Sequence, residues 1–271
     1  MLCSVRELTV DYAAAGATAP AAPARLFTYI LDDIAALDVH TRPAVIICPG
    51  GGYSGTCDRE AEPVAVRLNA LGCHTFVLRY NCIPNRYPVA LLELATAVAE
   101  VRAHADEWHI DPHKIFVLGF SAGGHLAANL GTGWQRDPVA RLPFTPEQVR
   151  PDGMILCYPV ISSGRYANRG SFDNLLGQQP DPALLASLSL EHQVADDTLP
   201  AFIWHTYGDG CVPVQNALLM ATALRDHNVP LEMHIYPHGE HGLALANDQT
   251  ARDVPACQLW PELAVAWLRA L

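Results

Sequence analysis

Strand and helix signals alternate along the whole chain, and this alternation is the feature that most constrains its fold. The segment AVIICPG (44–50) is continuously apolar and ends in Pro-Gly, as is typical of a strand buried on both faces. Strands alternating with helices predict a mostly parallel central sheet with helices on both faces. The predicted strands cover 8–12, 25–31, 44–50, 74–80, 114–121, 153–160, 201–208 and 231–237.

Five segments between or after the later strands carry helix signals, such as Pro at an early helical position and Gly at the end. The connection 161–200 is too long for a plain loop, and we interpret it as a small lid or substrate-shaping insert. Phe172 and Leu175 in this insert are predicted to close the acyl side of a pocket. The 271 residues are expected to form one α/β domain, residues 1–271. The predicted helices cover 60–71, 88–108, 122–131, 213–227 and 260–271.

Composition narrows the range of functions. Apolar residues make up 50% of the chain and charged residues 17%, which favours a sizeable core and argues against long disordered stretches. The formal net charge is −11, from 28 acidic and 17 basic residues. Because nucleic-acid binding requires Lys and Arg to neutralise phosphates, no nucleic-acid partner is expected. An acidic chain is equally unsuited to an anionic membrane surface.

The cysteines and the apolar segments indicate in which cellular compartment the protein is expected. Residues 1–12 (MLCSVRELTVDY) contain charges and no signal-peptide core, and no apolar run is long enough to span a bilayer. The eight cysteines include no CxxC pair, and Cys48 and Cys157 fall inside predicted buried strands. A reduced cytoplasmic protein is therefore expected, although the even number of cysteines leaves disulfides as an alternative.

The strongest local motif is GxSxG at residues 119–123, between a predicted strand and a predicted helix. A sharp strand-to-helix turn of this kind exposes the Ser121 hydroxyl at the carboxyl end of the sheet. The alternative is a glycine-rich turn that only packs helix on strand. The flanking strand and helix favour Ser121 as a nucleophile.

A serine hydroxyl is a weak nucleophile unless a base lies beside it. In folds with this turn, an acidic residue and then a histidine follow after later strands. Asp209 directly follows the strand 201–208, and His241 follows the strand 231–237. These two residues are therefore the predicted orienting acid and general base. The competing candidates are His238, His205, His125, Asp196 and Asp197.

The glycine triplet 50–52 follows the apolar part AVIIC (44–48) of the third predicted strand and supplies backbone N–H groups that can approach a substrate closely. The N–H of Ala122, directly after the nucleophile, is a second source of donors to an oxyanion. No GxxxxGK[ST] or GxGxxG pattern supports nucleotide binding, and no HExxH motif suggests a catalytic metal. Neither a metal nor a cofactor is therefore expected.

Several stretches together resemble the bacterial acetyl-esterase and acetylxylan-esterase-like branch of the α/β-hydrolases, which is related to the hormone-sensitive-lipase and feruloyl-esterase groups. They cover most of the chain. The matching stretches are CPGGGY (48–53), REAEPVAVRLNALG (59–72), GFSAGGHLAANLG (119–131), YPVISSG (158–164), GSFDNLLG (170–177), WHTYGDGCVPVQNALL (204–219) and YPHGEHGLALA (236–246).

The resemblance implies an α/β-hydrolase fold with Ser121, Asp209 and His241 as the catalytic residues, and it favours His241 over His238. It further implies that Gly51 and Gly52 bind the oxyanion together with Ala122. The chain departs from its relatives in having Pro49 before the triplet, Glu240 beside the base and Gly208 before the acid. None of these departures removes a catalytic group.

The resemblance implies a serine carboxylesterase that acts on short acyl esters, such as acetylated sugars or xylo-oligosaccharides. An amide hydrolase of arylformamidase or peptidase type would use the same three residues. A binding protein on an inactive hydrolase scaffold is the alternative from another class, but such proteins commonly lose the base. The expected partner is a small-molecule ester, and the oligomeric state, including a homo-oligomer, stays open.

Overall fold

The computed structural model describes residues 1–271 and contains one sheet of eight strands. Their order across the sheet is β1-β2-β4-β3-β5-β6-β7-β8. From β4 to β8 all neighbours run parallel, whereas β2 pairs antiparallel with both β1 and β4. The strands are β1 Leu2–Glu7, β2 Arg25–Ile30, β3 Arg42–Cys48, β4 His74–Arg79, β5 Ile110–Phe120, β6 Gly153–Cys157, β7 Ala201–Thr206 and β8 Leu231–Tyr236.

Eight α-helices surround this sheet on both faces. Helices α2, α3 and α7 pack in the larger hydrophobic core, while α1 and α8 pack in a second core on the opposite face. No helix combines the length and the hydrophobicity that a bilayer span requires. The helices are α1 Glu62–Ala70, α2 Val89–Ala103, α3 Ala122–Gly133, α4 Pro146–Val149, α5 Arg169–Leu176, α6 Pro182–Ser187, α7 Gln215–Asp226 and α8 Trp260–Ala270.

Strand β3 shows why the central strands are continuously apolar. Ala44 and Ile46 lie in the larger core, while Val45 and Ile47 lie in the second core on the other face. Because successive side chains of a strand point to opposite faces, a strand covered on both sides must be apolar at every position. The mostly parallel sheet with helices on both faces is thus confirmed.

The first strand was predicted at the wrong place. The segment 8–12 is not a strand, and β1 is Leu2–Glu7 instead, paired antiparallel with β2. Leu8 and Tyr12 are buried in the larger core, so the alternation in this segment reflects burial of a loop. Strand β1 lies at the edge of the sheet and is largely exposed, which explains its weak hydrophobic signal.

The insert 161–200 contains helices α5 and α6 and is hydrogen-bonded to two loops at the carboxyl edge of the sheet. The Asn174 side chain donates to the carbonyl of Gly52 at 2.8 Å. The Asn168 side chain donates to the carbonyl of Cys211 at 3.1 Å. The insert therefore bridges the glycine-rich loop after β3 and the loop after β7.

Candidate active site

Ser121 alone joins β5 to α3, since the strand ends at Phe120 and the helix begins at Ala122. Its φ of 53° and ψ of −118° lie outside the regions that non-glycine residues favour. Besides the helical bond from the His125 N–H to the Ser121 carbonyl at 3.1 Å, two backbone hydrogen bonds to neighbouring segments hold this conformation. The Ser121 N–H donates to the carbonyl of Cys157 at 3.0 Å, and its own carbonyl accepts from the Val160 N–H at 3.0 Å. Strain that the surroundings maintain in this way is typical of functional sites.

The glycines of the GxSxG motif are required because backbone segments cross closely here. A Cβ atom at Gly119 would lie 2.0 Å from the carbonyl oxygen of Gly123. A Cβ atom at Gly123 would lie 2.1 Å from the carbonyl oxygen of Cys48. A larger residue at Gly119 would therefore collide with the start of α3, and one at Gly123 would collide with the end of β3.

Ser121, His241 and Asp209 form one hydrogen-bonded line. The Ser121 Oγ is 2.8 Å from Nε2 of His241, and Nδ1 of the same ring is 2.6 Å from Oδ2 of Asp209. The Asp209 side chain is fully buried, and its Oδ1 accepts from the backbone N–H groups of Cys211 at 2.8 Å and Val212 at 2.9 Å. The structure thus brings the three predicted residues together across loops after three different strands.

The protonation states of Asp209 and His241 follow from these hydrogen bonds. Burial by itself would raise the pKa of the Asp209 carboxyl, but the hydrogen bond and charge of His241 and the two backbone donors lower it overall. Asp209 is therefore ionised at neutral pH and accepts the proton on Nδ1 of His241. The lone pair on Nε2 then faces the hydroxyl of Ser121, as a general base requires.

The competing histidines lie in other environments. His238 is exposed, and His205 is buried in β7, where its Nδ1 accepts from the Thr206 N–H at 2.9 Å. His125 is fully buried in α3, with its Nε2 3.0 Å from the carbonyl of Leu188 in the insert. His125 therefore has an anchoring role rather than a place next to Ser121.

The competing acidic residues also lie elsewhere. Asp196 pairs with a histidine and Asp197 with an arginine, and neither residue contacts His241. Glu240 is 67% exposed and pairs with Arg252 at 2.8 Å. The acidic side chain next to the histidine in sequence is thus engaged in a surface ion pair.

The glycine-rich loop presents free N–H groups beside Ser121. Neither Gly51 nor Gly52 donates its N–H to any protein acceptor, and both have positive φ, 132° and 62°. A Cβ atom at Gly51 would lie 2.3 Å from the carbonyl oxygen of Gly55, so only glycine fits there. Ala122 is fully buried at the start of α3, where a backbone N–H has no partner within its helix.

A cavity of about 290 Å³ is lined by Ser121, His241, Gly51 and Gly52, and most of its other lining residues are also polar residues or glycines. Helix α5 turns its polar face toward the cavity. Phe172 and Leu175 do not line it, contrary to the prediction for the acyl side, because both are buried in the larger core. The lining residues are Gly51, Gly52, Cys57, Arg59, Glu60, Ser121, Asn168, Gly170, Ser171, Asn174, Cys211, His241 and Gly242.

Two buried polar residues at the site were not predicted from the sequence. Glu60 lines the cavity while only 2% exposed, and the Tyr158 ring lies 5.1 Å from the His241 ring in an edge-on arrangement. Both belong to stretches that carry the family resemblance. A glutamate near a helix start is usually explained by the helix dipole, however, and Tyr158 follows an apolar strand. No group of three or more His, Cys, Asp or Glu side chains is arranged to hold a metal ion.

A mostly parallel sheet with a serine on the turn from strand to helix, and with an acid and a histidine after later strands, defines the α/β-hydrolase superfamily. Within it, the chain belongs to the BD-FAE family, whose model matches residues 34–224. The resemblance to acetylxylan-esterase-like proteins is confirmed by individual relatives.

The chain is 39% identical to endo-1,4-beta-xylanase B of Butyrivibrio fibrisolvens over 83% of its length, and 32% identical to an acetylxylan esterase of Xylanibacter ruminicola over 78%. It spans only 35% and 44% of these two proteins. Among solved structures, the acetyl ester-xyloside bifunctional hydrolase from Caldicellulosiruptor lactoaceticus superposes with a TM-score of 0.84 at 39% identity. That alignment covers 98% of this chain and 96% of the other.

Proposed function

We propose that the protein is a serine carboxylesterase that removes acetyl groups from acetylated sugars, such as small acetylated xylo-oligosaccharides. The observation that carries this proposal is the hydrogen-bonded line from Ser121 through His241 to the buried carboxylate of Asp209. This arrangement places a nucleophile, a base and a residue that orients the base next to unpaired backbone N–H groups.

The reaction proceeds in two stages. His241 takes the hydroxyl proton as Ser121 attacks the ester carbonyl, and the imidazolium then gives that proton to the leaving alcohol. Water attacks the resulting acyl-enzyme, with His241 again as base, and releases the carboxylic acid. Asp209 stabilises the imidazolium in both stages because its carboxylate remains ionised beside Nδ1.

Negative charge develops on the carbonyl oxygen in both stages. The N–H groups of Gly51 and Gly52 are free to bind it, and the N–H of Ala122 lies at the start of α3, where the helix dipole favours an anion. Donors that are fixed before the reaction stabilise this charge without having to reorganise. We therefore assign these three residues to the oxyanion hole.

The polar side chains in the cavity lining support a sugar as the alcohol. Arg59, which makes no ion pair or hydrogen bond within the protein, and the amides of Asn168 and Asn174 all line the cavity. Such groups match the hydroxyls of a carbohydrate better than they match a long acyl chain. The names of the relatives point the same way, because one is an acetylxylan esterase and another is an acetyl ester-xyloside bifunctional hydrolase.

The cellular compartment in which the enzyme works limits the size of the substrates that it can meet. All eight cysteines are unpaired, although four of them are buried and four reach the surface in part. Unpaired thiols are usual in reducing compartments, which supports our proposal that the reaction takes place in the cytoplasm. Small imported oligosaccharides fit such a location better than polymeric xylan.

The experiment is a substrate panel with purified protein: acetyl, butyryl, octanoyl and feruloyl esters, acetylated xylo-oligosaccharides and an anilide. We expect kcat/KM for acetyl esters to exceed that for octanoyl esters by at least about tenfold, since the cavity is small and lined mostly by polar residues and glycines. Faster hydrolysis of the anilide, or tight ligand binding without turnover of any ester, would overturn the proposal.

The matched variant is Ser121→Ala, which keeps the Cβ atom and therefore the strained turn. It should lose several orders of magnitude in kcat while its Tm stays close to that of the wild type. Ser187→Ala, at an exposed position in the insert, serves as the control and should retain full activity.

A further inference from the structure

Glu60 is a buried carboxylate at the candidate active site, and the reaction described above does not use it. Its Oε2 accepts from the backbone N–H of Gly50 at 2.8 Å, and its Oε1 accepts from the hydroxyl of Tyr158 at 2.8 Å. Burying a carboxyl group costs free energy unless hydrogen bonds compensate, and here burial raises the pKa of Glu60. The burial of Glu60 therefore needs an explanation, and we look for it in the function of the site.

The first hydrogen bond fixes the loop that carries the oxyanion donors. Gly50 directly precedes Gly51 and Gly52, so holding its N–H sets the direction from which the next two N–H groups reach the cavity. The packing is tight, because a Cβ atom at Gly50 would lie 2.7 Å from Oε2 of Glu60 and 3.0 Å from the Cβ of Ser121. Glu60 thus presses the glycine loop against the nucleophile turn.

The second hydrogen bond reaches the loop that carries the base. The Tyr158 hydroxyl, which donates to Glu60, also accepts from the backbone N–H of Ala244 at 2.8 Å. Ala244 lies three residues after His241, and the Tyr158 ring packs edge-on against the imidazole at 5.1 Å. One continuous chain of hydrogen bonds therefore connects the oxyanion loop, the carboxylate and the base loop.

We propose that Glu60 is a positioning residue, which sets the oxyanion donors and His241 relative to each other through Gly50 and Tyr158. The proposal rests on the esterase function proposed above. A displacement of about 1 Å in such groups costs on the order of 10²-fold in rate, so a single buried link between the two loops has a direct effect on turnover.

The chemistry of the side chain makes the proposal testable with an isosteric change. Both oxygens of Glu60 accept, one from an amide N–H and one from a hydroxyl. A glutamine has only one acceptor oxygen, so the side chain in Glu60→Gln cannot accept from both Gly50 and Tyr158, and its NH₂ group must face one of these two donors. Tyr158→Phe removes the same link from the other end and leaves the ring beside His241.

We expect Glu60→Gln to lower kcat for an acetyl ester about tenfold to a hundredfold while KM changes less than about threefold, because oxyanion donors act mainly in the transition state. Tyr158→Phe should lower kcat about tenfold. The kcat of the double variant should be at most about twofold lower than that of Glu60→Gln, since both changes interrupt the same chain of hydrogen bonds. The control is Glu62→Gln, an exposed residue two positions later, which should match the wild type.

All rates are expressed per active serine, counted by the burst of a slowly deacylating ester, so that misfolded protein does not enter kcat. If Glu60→Gln fails to fold, Tyr158→Phe decides the question alone. A wild-type kcat in the folded variants, or additive losses in the double variant, would overturn the positioning role. That result differs from a failure of the proposed function, in which the wild-type protein itself would hydrolyse no ester.

Discussion

Asp209 uses its two carboxylate oxygens for different tasks. Oδ2 faces Nδ1 of His241, while Oδ1 accepts from the N–H groups of Cys211 and Val212. An asparagine at this position would place its single carbonyl oxygen toward those two donors, so its amide NH₂ would face the ring. The imidazole would then accept at Nδ1 and carry its proton on Nε2, where it can no longer take the proton of Ser121.

We therefore predict that Asp209→Asn lowers kcat by about 10⁴-fold, the loss known for this change in a serine protease triad. Steady-state kinetics on an acetyl ester, with circular dichroism to verify folding, measures this loss. Glu240→Gln is the control, because Glu240 is exposed and engaged with Arg252, and its activity should stay within about twofold of the wild type. An equally large loss in the control would mean that the charge near His241 matters more than its tautomer.

At the scale of the secondary-structure elements, helix α5 has two different faces. Asn174 and Ser171 line the cavity, whereas Phe172 is 3% exposed and packs edge-on against His125 at 5.3 Å between ring centroids. One face of the helix thus contributes to the site and the other anchors the insert to the core.

The two faces predict separable effects. Phe172→Ala should lower the free energy of unfolding by about 3–5 kcal/mol, the usual cost of a large-to-small change in a core. The ratio of acetyl to octanoyl turnover should remain unchanged, since Phe172 does not line the cavity. Urea denaturation and the ester panel measure the two quantities. A strong shift of this ratio toward octanoyl esters would show that Phe172 shapes the acyl pocket after all.

The same helix shows how far the sequence could be used to predict the site. Motifs fix Ser121, Asp209 and His241 because each follows a strand at the carboxyl edge, where parallel strands bring their loops together. Which face of α5 meets the cavity depends on packing against α3, which the motifs do not encode. The pattern likewise placed the first strand at 8–12, because Leu8 and Tyr12 are buried although they belong to a loop.

The role of Glu60 could not be predicted from the sequence, because it too depends on tertiary packing. A charged residue is expected at the surface, and its burial depends on a hydroxyl that lies 98 residues away in the chain. The fold class follows from local periodicity, but such a partner appears only when the sheet is assembled.

At the scale of the whole molecule, three buried histidines connect stability to pH. Burial lowers the pKa of His74, His125 and His205 to about 4. An unfolded histidine titrates near ~6.5, so between about pH 6.5 and 4 the unfolded chain binds more protons than the folded one. Stability therefore falls as the pH is lowered through this range, by up to about 1.4 kcal/mol per pH unit for each histidine.

His74 offers a way to isolate this effect. Its Nδ1 accepts from the Leu31 N–H at 3.1 Å, and its Nε2 is 3.2 Å from the carbonyl of His109. A glutamine can accept and donate at similar places without titrating, so His74→Gln should lose less stability between pH 7 and 5 than the wild type. Urea unfolding at both pH values measures the difference.

Buried carboxyl groups with raised pKa, including Glu60 and Glu93, act in the opposite direction. For this reason the variant is compared with the wild type and with His113→Gln, an exposed control that should retain the wild-type pH dependence. Equal slopes in all three proteins would contradict the assignment to His74.

Strand β8 has a neighbour on one side only, and all six of its residues are at least partly exposed. The nucleophile, in contrast, leaves the fully buried end of β5 in the middle of the sheet. Local opening starts where few buried contacts hold the backbone, so the loop that carries His241 is expected to detach before the centre of the sheet. On heating, the protein should lose activity reversibly at temperatures below its cooperative melting, so that inactivation and denaturation become two separate events.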